Sequence, residues 1–272
     1  MNILDKIVAH KKLQVAARKN TLSIAQLEKL DGFQRKPFSL THHLTQAGST
    51  GIIAEFKRKS PSKGVINPDA DVVQTTTGYV ASGAAALSVL TDEEFFGGSS
   101  ENLQQARQHN ACPILRKDFM IDEYQVVEAK ALGADVILLI AAILTPEEIK
   151  NLAILARSLQ MEVLLEVHDE EELRYSALNE RVSPFVNVVG VNNRNLKTFA
   201  VSVDTSRELA ALIPDDFVKI SESGISDPAT IMQLKTYGYQ GFLMGENFMK
   251  TDDPAKACTT FIQTLKVQQT KA

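Results

Sequence analysis

Cysteine is scarce in this 272-residue chain: Cys112 and Cys258 are the only two. That is too few for a disulfide framework or a cysteine-rich metal site, and it fits a reduced, cytoplasmic setting. Long apolar runs are missing too. The run at 136–144 is too short to cross a membrane. The first residues mix Asp5, Lys6, Lys11 and Lys12 with apolar ones and lack the continuous apolar stretch of a secretory signal. There is no excess of positive charge. A net charge of -4 argues against a broad nucleic-acid surface, while the local basic cluster at 57–63 suits a small anion. His42 and His43 have no metal-ligating partners at a known spacing. Cys112, just before an apolar run, reads as a buried, inert thiol. No low-complexity segment or Ser/Gly linker divides the chain. What is present is 44% hydrophobic residues, enough for a full core.

Those residues fall into eight short apolar runs, at 52–56, 86–90, 113–115, 135–140, 162–167, 187–191, 217–221 and 241–244. Several are continuous rather than alternating, as expected of parallel strands covered on both faces. Helical patterns lie between and after them, at 69–83, 99–109, 123–132, 146–159, 169–178, 204–212, 227–237 and 253–267. Thr145-Pro146-Glu147-Glu148 is a helix start, with a capping hydroxyl, proline at the first position and acids in the first turn. Gly83, Gly133 and Gly238 are helix stops. Strict alternation of eight strands and eight helices predicts a (β/α)8 TIM barrel of the α/β class. A doubly wound sheet is the rival. It usually has fewer strands, and no Gly-x-Gly-x-x-Gly turn follows the first run. Residues 1–50 form an N-terminal helical extension, helical at 3–18 and again at 23–30, and 1–272 reads as a single barrel domain.

Barrel active sites lie at the C-terminal ends of the strands, and charge collects at those ends here. Side chains alternate along a strand, so Glu55 and Lys57 share a face with Ile53. A structural ion pair explains that segment, taken alone, as well as catalysis does. Lys117 lies two residues past the third run, Glu166 near the end of the fifth, Asn192 and Arg194 follow the sixth, and Glu222 with Ser223 follows the seventh. Acids and lysines around one mouth shift each other's pKa, as general acid–base chemistry requires. Ser223-Gly224 and Gly245-Glu246 are small-residue turns after strands seven and eight, where barrels often bind phosphate. Ordinary strand-to-helix turns would also contain these glycines.

Seven segments carry a resemblance: IAEFKRKSPSKG at 53–64, LTDEEFFGGS at 90–99, LRKDF at 115–119, LEVH at 165–168, GVNNRNL at 190–196, SESGI at 221–225 and MGE at 244–246. In one register, they resemble the indole-3-glycerol-phosphate synthase family of tryptophan biosynthesis, in a form without a fused second enzyme. The resemblance implies a carbon–carbon lyase acting on a phosphorylated small molecule, 1-(2-carboxyphenylamino)-1-deoxyribulose 5-phosphate. It closes the ring, releases carbon dioxide and then water, and uses no metal or organic cofactor. It also implies a catalytic set of Glu55, Lys57, Lys117, Glu166, Asn192 and Ser223. Lys117 is the acid for ring closure. Lys57 and Glu166 share the acid and base of dehydration, and Glu55 orients the lysines. Ser60, Phe96, Phe119, Arg194, Gly224, Gly245 and Glu246 form the substrate-binding set. In it, Ser223, Gly224, Gly245 and Glu246 offer backbone N–H groups to the phosphate, and Ser60 or Arg194 holds the benzoate carboxylate. Phe96 and Phe119 flank the ring, though core packing accounts for them equally well. The 60–64 stretch becomes a loop over the substrate. No nucleic-acid or membrane partner is implied, and other enzymes of the pathway are at most loose contacts. His168 shares the face of Glu166 but is expected to be a loop histidine. Two other enzymes stay in view: a Schiff-base lyase using Lys57 or Lys117, and a phosphoribosylanthranilate isomerase, which would need a cysteine that strand one lacks. A non-catalytic phosphate sensor would have lost one of the acid–base residues, all of which are present.

Overall fold

The structure is a computed structural model describing residues 3–196 and 198–270. Among these residues eight parallel strands close into a barrel: β1 (Ile52–Phe56), β2 (Ala86–Leu90), β3 (Ile114–Lys117), β4 (Val136–Ile140), β5 (Glu162–Val167), β6 (Val188–Asn192), β7 (Val218–Glu222) and β8 (Tyr239–Met244). Each pairs with its neighbours in sequence, and β8 closes on β1 with Ile53 opposite Leu243. The doubly wound alternative is thereby excluded.

The apolar runs alternate across two layers. In β4, Val136, Leu138 and Ile140 point into the barrel with Ile53, Leu115, Leu164 and Leu243. Ile137 and Leu139 point outward against the helices with Ala54, Phe56 and Val89. Both faces are buried, so the strands read as continuous apolar stretches. The third strand runs to Lys117, beyond the predicted end at 115. Buried Arg116 does not end it, because its Nη2 lies 2.6 Å from Oε2 of Glu128 and 3.4 Å from Oδ2 of Asp118. Pairing removes the penalty that would stop a strand at a buried charge.

Among the described residues four helices precede the barrel: α1 (Ile3–Thr21), α2 (Ile24–Leu27), α3 (Asp31–Gln34) and α4 (Leu40–Thr45). Where the sequence suggests a helix at 23–30, only 24–27 is helical, and a further short helix, α3, follows at 31–34. Leu27 belongs to, and Phe33 packs against, the cluster that contains Tyr124 and Val127. Six positions apart on a continuous helix, they would point about 120° away from each other. The helices after the strands are α5 (Val72–Ser82), α6 (Ser100–His109), α7 (Glu123–Leu132), α8 (Pro146–Ser158), α9 (Glu170–Tyr175), α10 (Asp204–Ala210), α11 (Pro228–Thr236), the short α12 (Glu246–Met249) and α13 (Pro254–Gln269). Thr145 and Glu148 form the reciprocal cap expected at α8.

The N-terminal helices run from one end of the barrel to the other. Lys11 of α1 is buried at the mouth, its Nζ 2.8 Å from both Asp92 and Asp118. The chain then descends along α7, and α4 closes the floor, where Leu40 and Leu44 join the inner cluster. Floor acids are met by donors. Asp135 accepts from Arg35, Arg107 and the backbone N–H groups of Phe38 and Ile114. Glu162 accepts from Ser39 and twice from Thr41.

Candidate active site

At the other end, polar side chains surround space. A pocket of about 180 Å³ opens at the C-terminal ends of the strands. Every residue of the expected catalytic and binding sets lines it: Glu55, Lys57, Ser60, Phe96, Lys117, Phe119, Glu166, Asn192, Arg194, Ser223, Gly224, Gly245 and Glu246. The residues come from the ends of β1, β3, β5, β6, β7 and β8 and from the loops that follow these strands and β2. Ile3, Leu4 and Ile7 of α1 add an apolar wall.

Two charge clusters face each other. On one side, Lys57 Nζ lies 2.7 Å from Oε1 of Glu55, and Ser88 of β2 donates to Oε2 at 3.1 Å. Burial works to raise the Glu55 carboxyl, but the ammoniums of Lys57 and Lys117 outweigh it and hold it below the usual carboxylate range. On the other side, Lys117 Nζ lies 3.0 Å from Oε2 of Glu166 and 3.4 Å from Oε2 of Glu222. Burial favours the neutral amine of Lys117, yet Glu166, Glu222 and Glu55 keep it protonated well above the usual lysine range. Glu166 is likewise buried, and Lys117 and His168 hold it ionised.

Glu222 goes the opposite way. Burial raises it, Glu166 and Glu55 raise it further, and Lys117 only partly compensates, so it is pushed up to about 7. Its Oε1 is buried with no hydrogen-bond partner among the described residues. The carboxylate rests over Gly190, where a Cβ would fall 2.5 Å from that oxygen, so a side chain at position 190 would displace it. Sequence reasoning placed Glu222 at a strand end but gave it no role. Its distinction is a set of three charged neighbours distant in the chain, for which the sequence carries no local signal.

The turn after β7 is strained. Ser223 and Gly224 both have positive φ, 68° and 75°. For serine this is a costly conformation, retained where surroundings enforce it. Asn193 does so, donating to Ser221 Oγ at 3.0 Å and to the Ser223 carbonyl at 3.0 Å. Asn193 thus braces the turn from beneath, while Asn192 lines the pocket. Glu246 turns its carboxylate to Lys63 at 3.5 Å and Arg194 at 3.7 Å. The 60–64 stretch is tied into a small antiparallel ladder, Lys59–Ser60 with Gly64–Val65. Phe96 and Phe119 face each other with centroids 5.8 Å apart, and both reach the pocket.

His168 sits in the loop just after β5, as expected from sequence, but its ring is held by charged partners. Its side chain is 8% exposed and lies between Glu166 and Glu172. Cys112 is buried as expected, and burial pushes its thiol up to about 12, which keeps it inert.

A closed parallel barrel with paired lysines and carboxylates at the carboxyl ends of its strands is a (β/α)8-barrel enzyme in form. Comparison with known proteins makes the assignment specific. The family model for indole-3-glycerol phosphate synthase matches residues 4–261. Curated indole-3-glycerol phosphate synthases align nearly end to end. That of Bacteroides thetaiotaomicron is 46% identical over 266 residues, covering 97% of this chain and 99% of its own. That of Polaromonas sp. is 45% identical over 262 residues, covering 94% and 96%. That of Magnetococcus marinus is 44% identical over 263 residues, with the same coverage. The chain belongs to the indole-3-glycerol phosphate synthase family.

Proposed function

We propose that this barrel converts 1-(2-carboxyphenylamino)-1-deoxyribulose 5-phosphate into indole-3-glycerol phosphate, with its charged clusters dividing the proton transfers. The observation that carries this reading is the Glu166–Lys117–Glu222 cluster facing Glu55–Lys57 across one pocket. Lys117 donates a proton to the ketone oxygen as the aromatic carbon attacks. The oxyanion that develops is basic enough to draw a proton from a lysine this strongly held. Loss of carbon dioxide restores aromaticity. Glu166, kept ionised by its neighbours, is then the base for the aniline proton. Lys57, paired to Glu55, is the cation left to protonate the departing hydroxyl. Glu55 positions Lys57, and Asn192 lines the same pocket.

The strained Ser223–Gly224 turn and the Gly245–Glu246 turn receive the phosphate through backbone N–H groups. Arg194 or Ser60 receives the benzoate, and Phe96 and Phe119 flank its ring. The Schiff-base alternative has less support, since a lysine held cationic by three carboxylates is a poor nucleophile. We read 1–272 as one barrel domain, with 1–50 as its extension, working in the cytoplasm. No helix among the described residues is long and apolar enough to cross a membrane. The net charge of -4 gives nucleic acid no broad surface, and contact with other pathway enzymes would be loose.

The test is incubation with this substrate while following indole fluorescence. Absence of product at high enzyme concentration would sink the reading. Lys117→Ala should lower kcat by at least ~10²-fold, the usual worth of a positioned acid, while circular dichroism shows the barrel retained.

A further inference from the structure

His168 immediately follows β5, two residues beyond Glu166 and on the same side. Its backbone N–H donates to Oε2 of Glu172 at 2.8 Å, and its ring Nδ1 lies 3.0 Å from the same oxygen. Glu172 sits in the first turn of α9, where its own N–H is fixed by the capping Asp169 at 2.9 Å. One carboxylate therefore clamps both the main chain and the ring of His168. The other ring nitrogen, Nε2, lies 3.2 Å from Oε1 of Glu166. That contact is off the line of a good hydrogen bond, so Nε2 counts as lacking an acceptor by geometry. It is an attraction between charges instead.

The ring's protonation follows from these contacts. Both nitrogens face carboxylates. A neutral imidazole would turn a lone pair toward one of them, so only the imidazolium suits both sides. Burial opposes this charge, but Glu166 and Glu172 outweigh it and push the ring up to about 10. The other charged groups in the row are Lys117, on Oε2 of Glu166, and Glu222 beyond Lys117.

We propose that His168 is a positioning residue for the reaction: fixed by Glu172, it holds Oε1 of Glu166 while Lys117 holds Oε2, and it keeps that carboxylate ionised and in place once Lys117 has given up its proton. Without it, Glu166 loses that counter-charge at that step, binds a proton from solvent at a higher pH, and in that form cannot act as the base that follows. The proposal rests on the roles given above to Lys117 and Glu166.

The test compares wild type, His168→Gln, Glu172→Gln and Glu166→Gln. Turnover is followed by indole fluorescence from pH 5 to 9, and the ring nitrogens of His168 by NMR in labelled protein. His168→Gln should lower kcat roughly 10–100-fold with KM little changed, as loss of orientation in a reacting group does. The acid limb of its kcat profile should move upward by about 1–3 pH units, the usual effect of removing an adjacent opposite charge. Glu172→Gln should give a smaller loss, and its His168 ring should become neutral at a lower pH than in wild type. In wild type the ring should be an imidazolium at pH 8. A neutral ring at pH 8, or His168→Gln with unchanged kcat and acid limb beside an inactive Glu166→Gln, overturns the proposal alone. Full activity in Glu166→Gln overturns it together with the catalytic reading. Should His168→Gln fail to fold, the wild-type ring state and the Glu172→Gln profile decide.

Discussion

Asp135 and Glu222 are buried carboxylates at opposite ends of the same barrel, treated in opposite ways. Asp135, at the floor, receives four donors: two guanidiniums and two backbone N–H groups. Glu222, at the mouth, shares one lysine with Glu166 and leaves an oxygen without a hydrogen bond. Satisfying every lone pair offsets the cost of burying charge and produces an inert joint between the extension, α6 and β3. Leaving the charge under-compensated stores that cost as a shifted pKa, which suits proton transfer near neutral pH. The number and kind of donors, rather than burial or residue type, separate structural from reactive acids here.

Three substitutions would break or sharpen that contrast. Asp135→Ala leaves two arginines without their acid, and breaking such a buried pair costs about 3–5 kcal/mol. Urea denaturation should report that loss, while the folded fraction keeps its kcat within about twofold. A large drop in kcat in folded protein would show that the floor is not inert.

Glu222→Gln tests the other end. A carboxyl raised from 4.5 to about 7 holds its proton in the folded state after the unfolded chain has released it. Wild-type stability should therefore fall as pH rises from 4.5 through 7, by on the order of 3 kcal/mol. In Glu222→Gln, which fills the same space over Gly190, this decline should vanish while kcat drops. An unchanged stability–pH curve would remove the claim that Glu222 stores a protonation cost.

Gly190→Ala is the mildest test. It places a methyl 2.5 Å from Oε1 of Glu222 and 3.0 Å from Leu164. Overpacking of this kind costs about 1–3 kcal/mol. The displaced carboxylate should also change the kcat–pH profile, a shift that an alanine elsewhere in the strand would not produce.

Much of this was legible in the sequence because periodicity and alternation are local. Eight runs of Val, Ile and Leu between capped helices point to a barrel, though only the closed strand pairing excludes a doubly wound sheet, and strand-end positions indicate which side chains reach its mouth. Lys117, Glu166 and Arg194 needed nothing more. Glu222 was visible as a position but not as a chemistry, since its character comes from Glu55, Lys117 and Glu166, all contributed by other strands. His168 showed its shared face with Glu166 through their spacing of two, but its anchor, Glu172, becomes a partner only when the chain turns into α9. The apolar wall of Ile3, Leu4 and Ile7 was hidden for another reason. A helix pattern states that a face is buried, not which end of a barrel it covers.

Lys11 seated between Asp92 and Asp118 has a consequence in time. The helix that carries it is made before every strand of the barrel. One of its two acids lies in the loop after the third strand, about 107 residues later in the numbering. At ~5–20 residues per second, synthesis takes roughly 5–20 s to reach that residue. Over that interval Ile7, Lys11 and Val15 have no finished surface on which to dock. On a ribosome, protease attack within α1 should persist at least until the third strand and α7 have emerged and folded, and fall only then.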